Sequence, residues 1–277
     1  MTDQTTPDPL TAHYGGVDLT ERVRAALHAA GKDVAPTLDD LAPLDQFHIG
    51  GREATRQLAE LAGLRAGQSV LDVGGGIGGP ARGLATRYGC AVTVLDVTEA
   101  YCRTGEMLTS LMELTECVGF RHGNAVDMPF RPGQFDVVWT QHSSMNVDDK
   151  ERLYAEIHRV LRLRGRLALH EVMSGPVQPV HFPVPWARDL AISHLRPAAE
   201  IRALLAVSGF AEVAWIDVSA AALATFRARP IAQPGASPPP LGLHVLLGPE
   251  IGDMSGTMRR NLEEERVVVI QAVFDRA

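Results

Sequence analysis

The sequence predicts an α/β fold built on a doubly wound, mainly parallel seven-stranded sheet, and three observations predict it. Short apolar, β-branched runs alternate with segments of helical periodicity between Ser69 and Val172, as expected of strands buried on both faces by crossover helices. A glycine-rich turn, Gly74-Gly75-Gly76-Ile77-Gly78-Gly79, stands where the first of these strands gives way to a helix. The second strand ends on an acid, Asp96, 24 residues beyond the acid Asp72 of the first. A carboxylate at that place can take both hydroxyls of a ribose at the sheet's carboxyl edge.

The elements follow in order. Val23, Ala26, Leu27 and Ala30 recur at helical spacing before the stop Gly31, giving a helix over 19–30. A turn-rich stretch around Pro36 and Pro43 leads to a second helix from Arg52 to Ala62, broken by Gly63. The alternating core then reads strand Ser69–Val73, helix Gly79–Tyr88, strand Ala91–Val97, helix Thr98–Glu116 and strand Val118–His122. Strand Phe135–Thr140, helix Asp148–Arg162 and strand Arg166–Val172 continue it. Beyond Gly175 prolines at 176, 179, 183 and 185 exclude a helix interior and suit a loop crossing the open edge of a site. Helices over 197–208, 220–229 and 249–263, the proline-rich loop 230–240, and strands 210–218 and 266–274 complete the chain, whose first ten residues are expected to fray. The division this implies is a helical cap over 1–64, a ligand-binding core over 65–174, and a lid that also completes the sheet over 175–277.

Composition narrows the partners. The 277 residues are 45% apolar and 21% charged, the balance of a folding chain rather than a disordered one. A formal net charge of −7 offers no general attraction to nucleic acid or anionic membranes. No apolar run approaches a membrane span, and Met1–Leu10 carries Asp3, Asp8 and two prolines where a signal peptide is basic and then apolar. The expectation is a cytoplasmic protein acting on a small molecule, with no nucleic-acid or membrane partner and a homodimer left open. Cys90, Cys102 and Cys117 lack the spacing of zinc or redox pairs and read as reduced thiols, so no metal is expected.

The glycine turn fits two patterns. Gly74, Gly76 and Gly79 match G-x-G-x-x-G, which suits a dinucleotide; Asp72, Gly74, Gly76 and Gly78 match D-x-G-x-G-x-G. A dinucleotide sets an anionic pyrophosphate at the helix start, whereas S-adenosylmethionine sets an amino acid with a positive ammonium there. The acid at Asp72 suits the cation. Together with Asp96, the loop Gly123-Asn124-Ala125-Val126-Asp127 and the strand Phe135-Asp136-Val137-Val138-Trp139, the region from Leu44 to Met173 resembles the class I S-adenosylmethionine-dependent methyltransferases, whose core is Rossmann-like. Within that family it is similar to the small-molecule group of sarcosine/dimethylglycine, phosphoethanolamine and ubiquinone/menaquinone methyltransferases. The resemblance implies that Gln46, Asp72, Gly74 and Gly76 surround the methionine part, and that Asp96 and Val97 meet the ribose. It further implies that Asn124 and Ala125 meet the adenine and that Gln141 borders the donor methyl. Two departures stand out: Asn124 where the family has Asp, and Leu163-Arg164-Gly165 where it has P-G-G, read as a surface turn.

On the acceptor side, His142 in the loop after the fourth strand is the expected general base. His48, Met145, His181 and Trp186 are the expected acceptor-binding residues, with Phe182, His170 and Glu171 as further lining. Gly50-Gly51 can offer backbone donors, His158 is expected to be solvated, and Trp139, Trp186 and Tyr14 are the aromatics that could converge. The implied reaction is methyl transfer by in-line displacement, with S-adenosylhomocysteine as product. N-methylation of a small amine leads, with O- or C-methylation of a phenolic, quinone or polyketide-like metabolite as the alternative. An NAD-dependent oxidoreductase and a non-catalytic cofactor-binding module are the rivals from other classes.

Overall fold

In the computed structural model residues 19–228 and 238–277 are described. The first ten residues, expected to fray, Tyr14 and most of the stretch 230–240 lie outside them. Strand β1 (Ser69–Val73) pairs in parallel with β2 (Ala91–Asp96) and β4 (Phe135–Gln141), β2 with β3 (Val118–His122), and β4 with β5 (Leu161–Ser174). Strand β7 (Val267–Arg276) inserts antiparallel between β5 and β6 (Phe210–Asp217). The order β3-β2-β1-β4-β5-β7-β6 reverses direction between β1 and β4, and a crevice opens outside their carboxyl ends.

The two faces are set by strand alternation. Val70 and Val137 point to one side with Leu58 and Ala59 of α3 (Gly51–Ala62) and Ala81 and Leu84 of α4 (Gly79–Tyr88). Their neighbours Leu71 and Val138 point to the other, against Leu153 and Ile157 of α6 (Lys150–Val160) and Ile201 and Leu205 of α7 (Ala198–Val207). Each of these valines, leucines and isoleucines contributes about 1.5 to 3 kcal/mol by burial. The helices α1 (Leu19–Ala29) and α2 (Leu38–Asp45) join Tyr101 and Leu108 of α5 (Glu99–Leu111) and Leu246 and Leu247 of α9 (His244–Leu247) in a third cluster. A fourth gathers Val184, Trp186 and Ala187 with Phe226 of α8 (Ser219–Ala228) and Met258 of α10 (Ile251–Glu263). Among the described residues no helix is long and apolar enough to cross a membrane.

The differences from the expected elements have local causes. The stretch around Pro36 and Pro43 holds a helix, α2, because a capping box between Thr37 and Asp40 fixes its start and Leu41 and Leu44 bury one face. Helix α5 ends at Leu111, five residues early. There Glu113 enters the left-handed region (φ 57°) and the Leu114 amide bonds back to the Thr109 carbonyl, a stop made without glycine. The Leu163-Arg164-Gly165 segment lies inside β5, where the register with β4 slips between Phe135 and Val137. His158 is half-buried and packs edge-on against Phe210 at 5.4 Å instead of being solvated.

Candidate active site

The glycine turn is shaped by what lies behind it. Gly74 and Gly76 sit at φ 68° and 58°, and a Cβ on Gly74 would come within 2.4 Å of the Ser143 Cβ. Ser143 reaches across from the loop after β4 and donates to the Val73 carbonyl at 2.8 Å, so the carboxyl ends of β1 and β4 are stitched together. Asp96 closes the far side: its Oδ2 accepts from the Gly76 amide at 2.9 Å and its Oδ1 from the Thr98 amide at 2.8 Å. Underneath, the fully buried Arg82 donates to Asp45 at 2.9 Å and to the Ile77 carbonyl at 2.8 Å, fixing the N-terminal segment to the turn.

In front of the turn lies a cavity of about 400 Å³, of the size that takes a small ligand. Gly74, Gly76, Asp96, Val97, Asn124, Ala125 and His142 line it, together with Phe47, Thr98, Tyr101, Ser143 and Asp148. Asn124 folds its Oδ1 back onto the Val126 amide at 3.0 Å, leaving the amide nitrogen as the donor available to a ligand. Asp72 does not line the cavity. It is buried behind Gly75, whose Cβ would stand 2.5 Å from Oδ2, and that oxygen has no partner among the described residues. Burial, then the nearby Asp96 charge, pushes its carboxyl up to about 7. Gln46 is turned away onto the Asp45 carboxylate at 2.8 Å, and Gln141 is buried with its Oε1 accepting from Trp139 and Thr55.

A second, smaller chamber of about 60 Å³ adjoins the first, and Phe47 and His142 line both. Its walls are His48, Ile49, Met145, Val172, Pro185, Trp186, Phe226, Leu243, Leu247, Ile251, Ser255 and Met258. Trp186 is held by a bond from its indole nitrogen to Ser193 Oγ at 3.0 Å, while the Asn146 amide donates to its carbonyl at 2.9 Å. His48, Met145 and Trp186 thus share one chamber. His181 does not join them: it bonds to Glu264 at 2.9 Å and to Asn261. Gly51 donates its amide to the His48 carbonyl, an ordinary capping contact, and Trp139 is buried in the sheet.

Three imidazoles meet at the junction. The His142 ring centroid lies 4.7 Å from that of His170 and 6.3 Å from that of His48. His48 donates to the Gly51 carbonyl at 2.8 Å, and His170 Nδ1 accepts from Gln271 at 2.8 Å. Burial pushes His48 down to about 4 and, with the neighbouring imidazoles, His170 to about 3 and His142 well below its usual range. His170 and Glu171, expected as further lining, are buried and line neither chamber. Glu171 accepts from the Ser143 and Ser144 amides at 3.2 Å each, and burial raises its carboxyl to about 7. Among the described residues no cluster is arranged to hold a metal ion.

Sequence reasoning missed Phe47, Tyr101, Ser143 and the second-chamber residues of α8 to α10. Tyr101 was findable as the residue facing the cavity one turn into the helix after Asp96. The others sit in loops or helices whose approach to the sheet edge is fixed only by tertiary packing.

Residues 71–169 match the family model of a methyltransferase domain. A glycine/sarcosine/dimethylglycine N-methyltransferase of Actinopolyspora halophila is 30% identical over 133 residues, 48% of this chain and 24% of that protein. A probable chloroplastic tocopherol O-methyltransferase of Oryza sativa subsp. japonica is 35% identical over 102 residues, 37% of this chain and 28% of that protein. The chain spans less than half the length of these curated relatives. A crystal structure of geranyl diphosphate C-methyltransferase from Streptomyces coelicolor A3(2) superposes with a TM-score of 0.65 at 18% identity, covering 82% of this chain and 78% of that one. The seven-stranded fold is therefore the Rossmann-like methyltransferase fold.

Proposed function

We propose that this chain, which carries a methyltransferase domain of the S-adenosylmethionine-dependent class, transfers a methyl group from S-adenosylmethionine to an apolar small-molecule acceptor in the second chamber. The observation that carries the reading is the meeting of the two chambers at His142. One is sized for a nucleoside-bearing donor and opens over the glycine turn. The other is walled mainly by apolar side chains.

The donor site fits the group. Gly74 and Gly76 present backbone without Cβ atoms to the methionine part, and both Asp96 oxygens are oriented by amides with lone pairs left for the ribose hydroxyls. Val97 stands beside Asp96 at the ribose position, and Asn124 and Ala125 flank the adenine position. Asp72, Gln46 and Gln141 lie behind this surface: Asp72 packs under Gly75, Gln46 bonds to Asp45, and Gln141 to Trp139 and Thr55. When bound, S-adenosylmethionine supplies an electrophilic methyl carbon on sulfur. The chain's own part is alignment and exclusion of water, with Trp186 and Met145 closing the acceptor side.

Between the two acceptor classes, the lining favours O- or C-methylation of a phenolic, quinone or polyketide-like metabolite. N-methylation of a charged small amine calls for a carboxylate or arginine near the acceptor, and the described lining of the second chamber has no Asp, Glu, Lys or Arg. This reverses the order expected from the sequence. The domain reading is kept as a helical cap over 1–64, a core over 65–174 and a completing segment over 175–277, supported by the two strands β6 and β7 that the last segment adds to the sheet.

Calorimetry with S-adenosylhomocysteine and with NADH, followed by mass spectrometry for the gain of one methyl group across phenols, quinols and amines, tests the proposal. Tight S-adenosylhomocysteine binding and methylated phenols or quinols are expected. Preferential NADH binding would overturn the donor assignment, turnover confined to small amines the acceptor assignment, and binding without any turnover the catalytic reading.

A further inference from the structure

We infer that His142 serves the acceptor as a hydrogen-bond donor through Nε2–H, and that the acceptor presents an uncharged oxygen lone pair to it. This rests on the reading above that the second chamber holds the acceptor.

The geometry fixes the proton. His142 Nδ1 accepts from the Ile49 amide at 3.3 Å, so the neutral ring carries its hydrogen on Nε2. That Nε2 is shut off from solvent and has no partner among the described residues, while the ring lines both chambers. A buried donor without an acceptor is unfavourable unless a ligand supplies one. The backbone of His142 supports the same conclusion. It sits in the left-handed region at φ 51°, rare for a residue other than glycine, and is pinned there by a 2.9 Å bond from its amide to the His170 carbonyl. The fold holds a strained residue so that its ring stands at the junction.

The surroundings keep the ring uncharged. The titratable groups against it are His48 from the loop before α3 and His170 from β5, both imidazoles. Glu171, next along β5, is turned to the Ser143 and Ser144 amides, and no hydrogen bond or ion pair joins it to an imidazole of the cluster. With no such counter-ion, burial holds His142 well below its usual range. Lacking a free Nδ1 and resisting protonation, His142 is a poor general base and a good neutral donor. An oxygen of a hydroxyl, carbonyl or quinone satisfies it; an ammonium, which has no lone pair, leaves the donor stranded and sets a cation beside apolar walls.

The test uses the full chain with S-adenosylhomocysteine bound. Nitrogen-edited NMR of the histidine rings, with the His142 signals identified by their loss in His142→Gln, should report the Nε2–H tautomer from pH 5.5 to 8.5. An Nδ1–H tautomer, or a titration within that range, overturns the inference. Binding of 4-butylphenol and of butylbenzene, which differ only in the oxygen, gives a second reading. The wild type should prefer the phenol roughly tenfold, His142→Gln should keep part of the preference and His142→Phe should lose it. Equal binding, binding of neither probe, or a preference unchanged in His142→Phe overturns the inference. Failure to bind S-adenosylhomocysteine at all would instead sink the methyltransfer reading, so the two failures are distinguishable.

Discussion

The buried ammonium of Lys150 donates to the His194 carbonyl at 2.9 Å, and through a second bond of 2.7 Å to the Ser144 carbonyl it ties the loop lining the first cavity to the segment beyond Trp186. Among the described residues no carboxylate forms an ion pair with it, and burial lowers it to about 8. Lys150→Met should strand these carbonyls and cost roughly 1 to 3 kcal/mol for each left unsatisfied. The expected result is a lower Tm and a raised acceptor KM with S-adenosylhomocysteine affinity little changed. A Tm equal to the wild type would mean that the link carries no load.

Asp96 joins the cavity to the turn, since the carboxylate that lines the cavity also holds the Gly76 and Thr98 amides, and the proposed donor site sets it against the ribose. Asp96→Ala removes charge-assisted bonds of about 1.5 to 3 kcal/mol and should weaken S-adenosylhomocysteine binding by roughly tenfold to a hundredfold in calorimetry. Unchanged affinity in a folded variant refutes the ribose assignment.

Gly74 tests the stitch between β1 and β4. Gly74→Ala meets the Ser143 Cβ at 2.4 Å and suffers an unfavourable φ of 68° as well. The variant should lose donor binding and several degrees of Tm. Adding Ser143→Gly relieves the contact but not the backbone strain, so the pair should recover part of the loss. Complete recovery or none would show that one of the two causes is absent.

Much of this was legible from residue pattern. The short continuous apolar runs through Val70-Leu71 and Val137-Val138 marked strands buried on both faces, and the glycine turn with Asp96 marked the carboxyl edge where the cavity opens. Asn124, Ala125 and Val97, implied by the family resemblance, do line the cavity. What pattern could not supply was direction. Asp72 lies behind Gly75, Gln46 turns to Asp45, and His181 pairs with Glu264 because each finds a partner or packing position fixed by distant chain. The second chamber was invisible for the same reason: Ile49, Phe226 and Met258 meet only after the C-terminal helices dock.

Glu171 carries a pH signature. Its folded carboxyl is raised from 4.5 to about 7, chiefly by burial, so the folded state keeps a proton that the unfolded chain gives up. Its contribution to stability is therefore fully present below about pH 4.5 and is lost as pH rises through about 7, to an extent of roughly 3 kcal/mol. In Glu171→Gln that slope should vanish, so the stability of the variant relative to wild type should rise between pH 5 and 7 in denaturant titrations. Parallel curves would mean that Glu171 is ionised in the fold at all these pH values.

Trp186 forms one wall of the second chamber, the proposed acceptor site, and is only 3% exposed, with its indole nitrogen bonded to Ser193 Oγ at 3.0 Å. It touches neither the glycine turn nor Asp96, so its loss should be felt by the acceptor alone. Trp186→Ala removes apolar contact and admits water, and should raise acceptor KM by roughly tenfold or more while leaving S-adenosylhomocysteine affinity unchanged. Because truncating a buried tryptophan costs about 3 to 5 kcal/mol of folding stability, Trp186→Phe provides the milder comparison. It keeps most of the ring area and gives up only the bond to Ser193, so its KM should fall between the two. A KM in Trp186→Ala equal to the wild type, measured on protein whose Tm exceeds the assay temperature, would mean that the acceptor does not use this chamber.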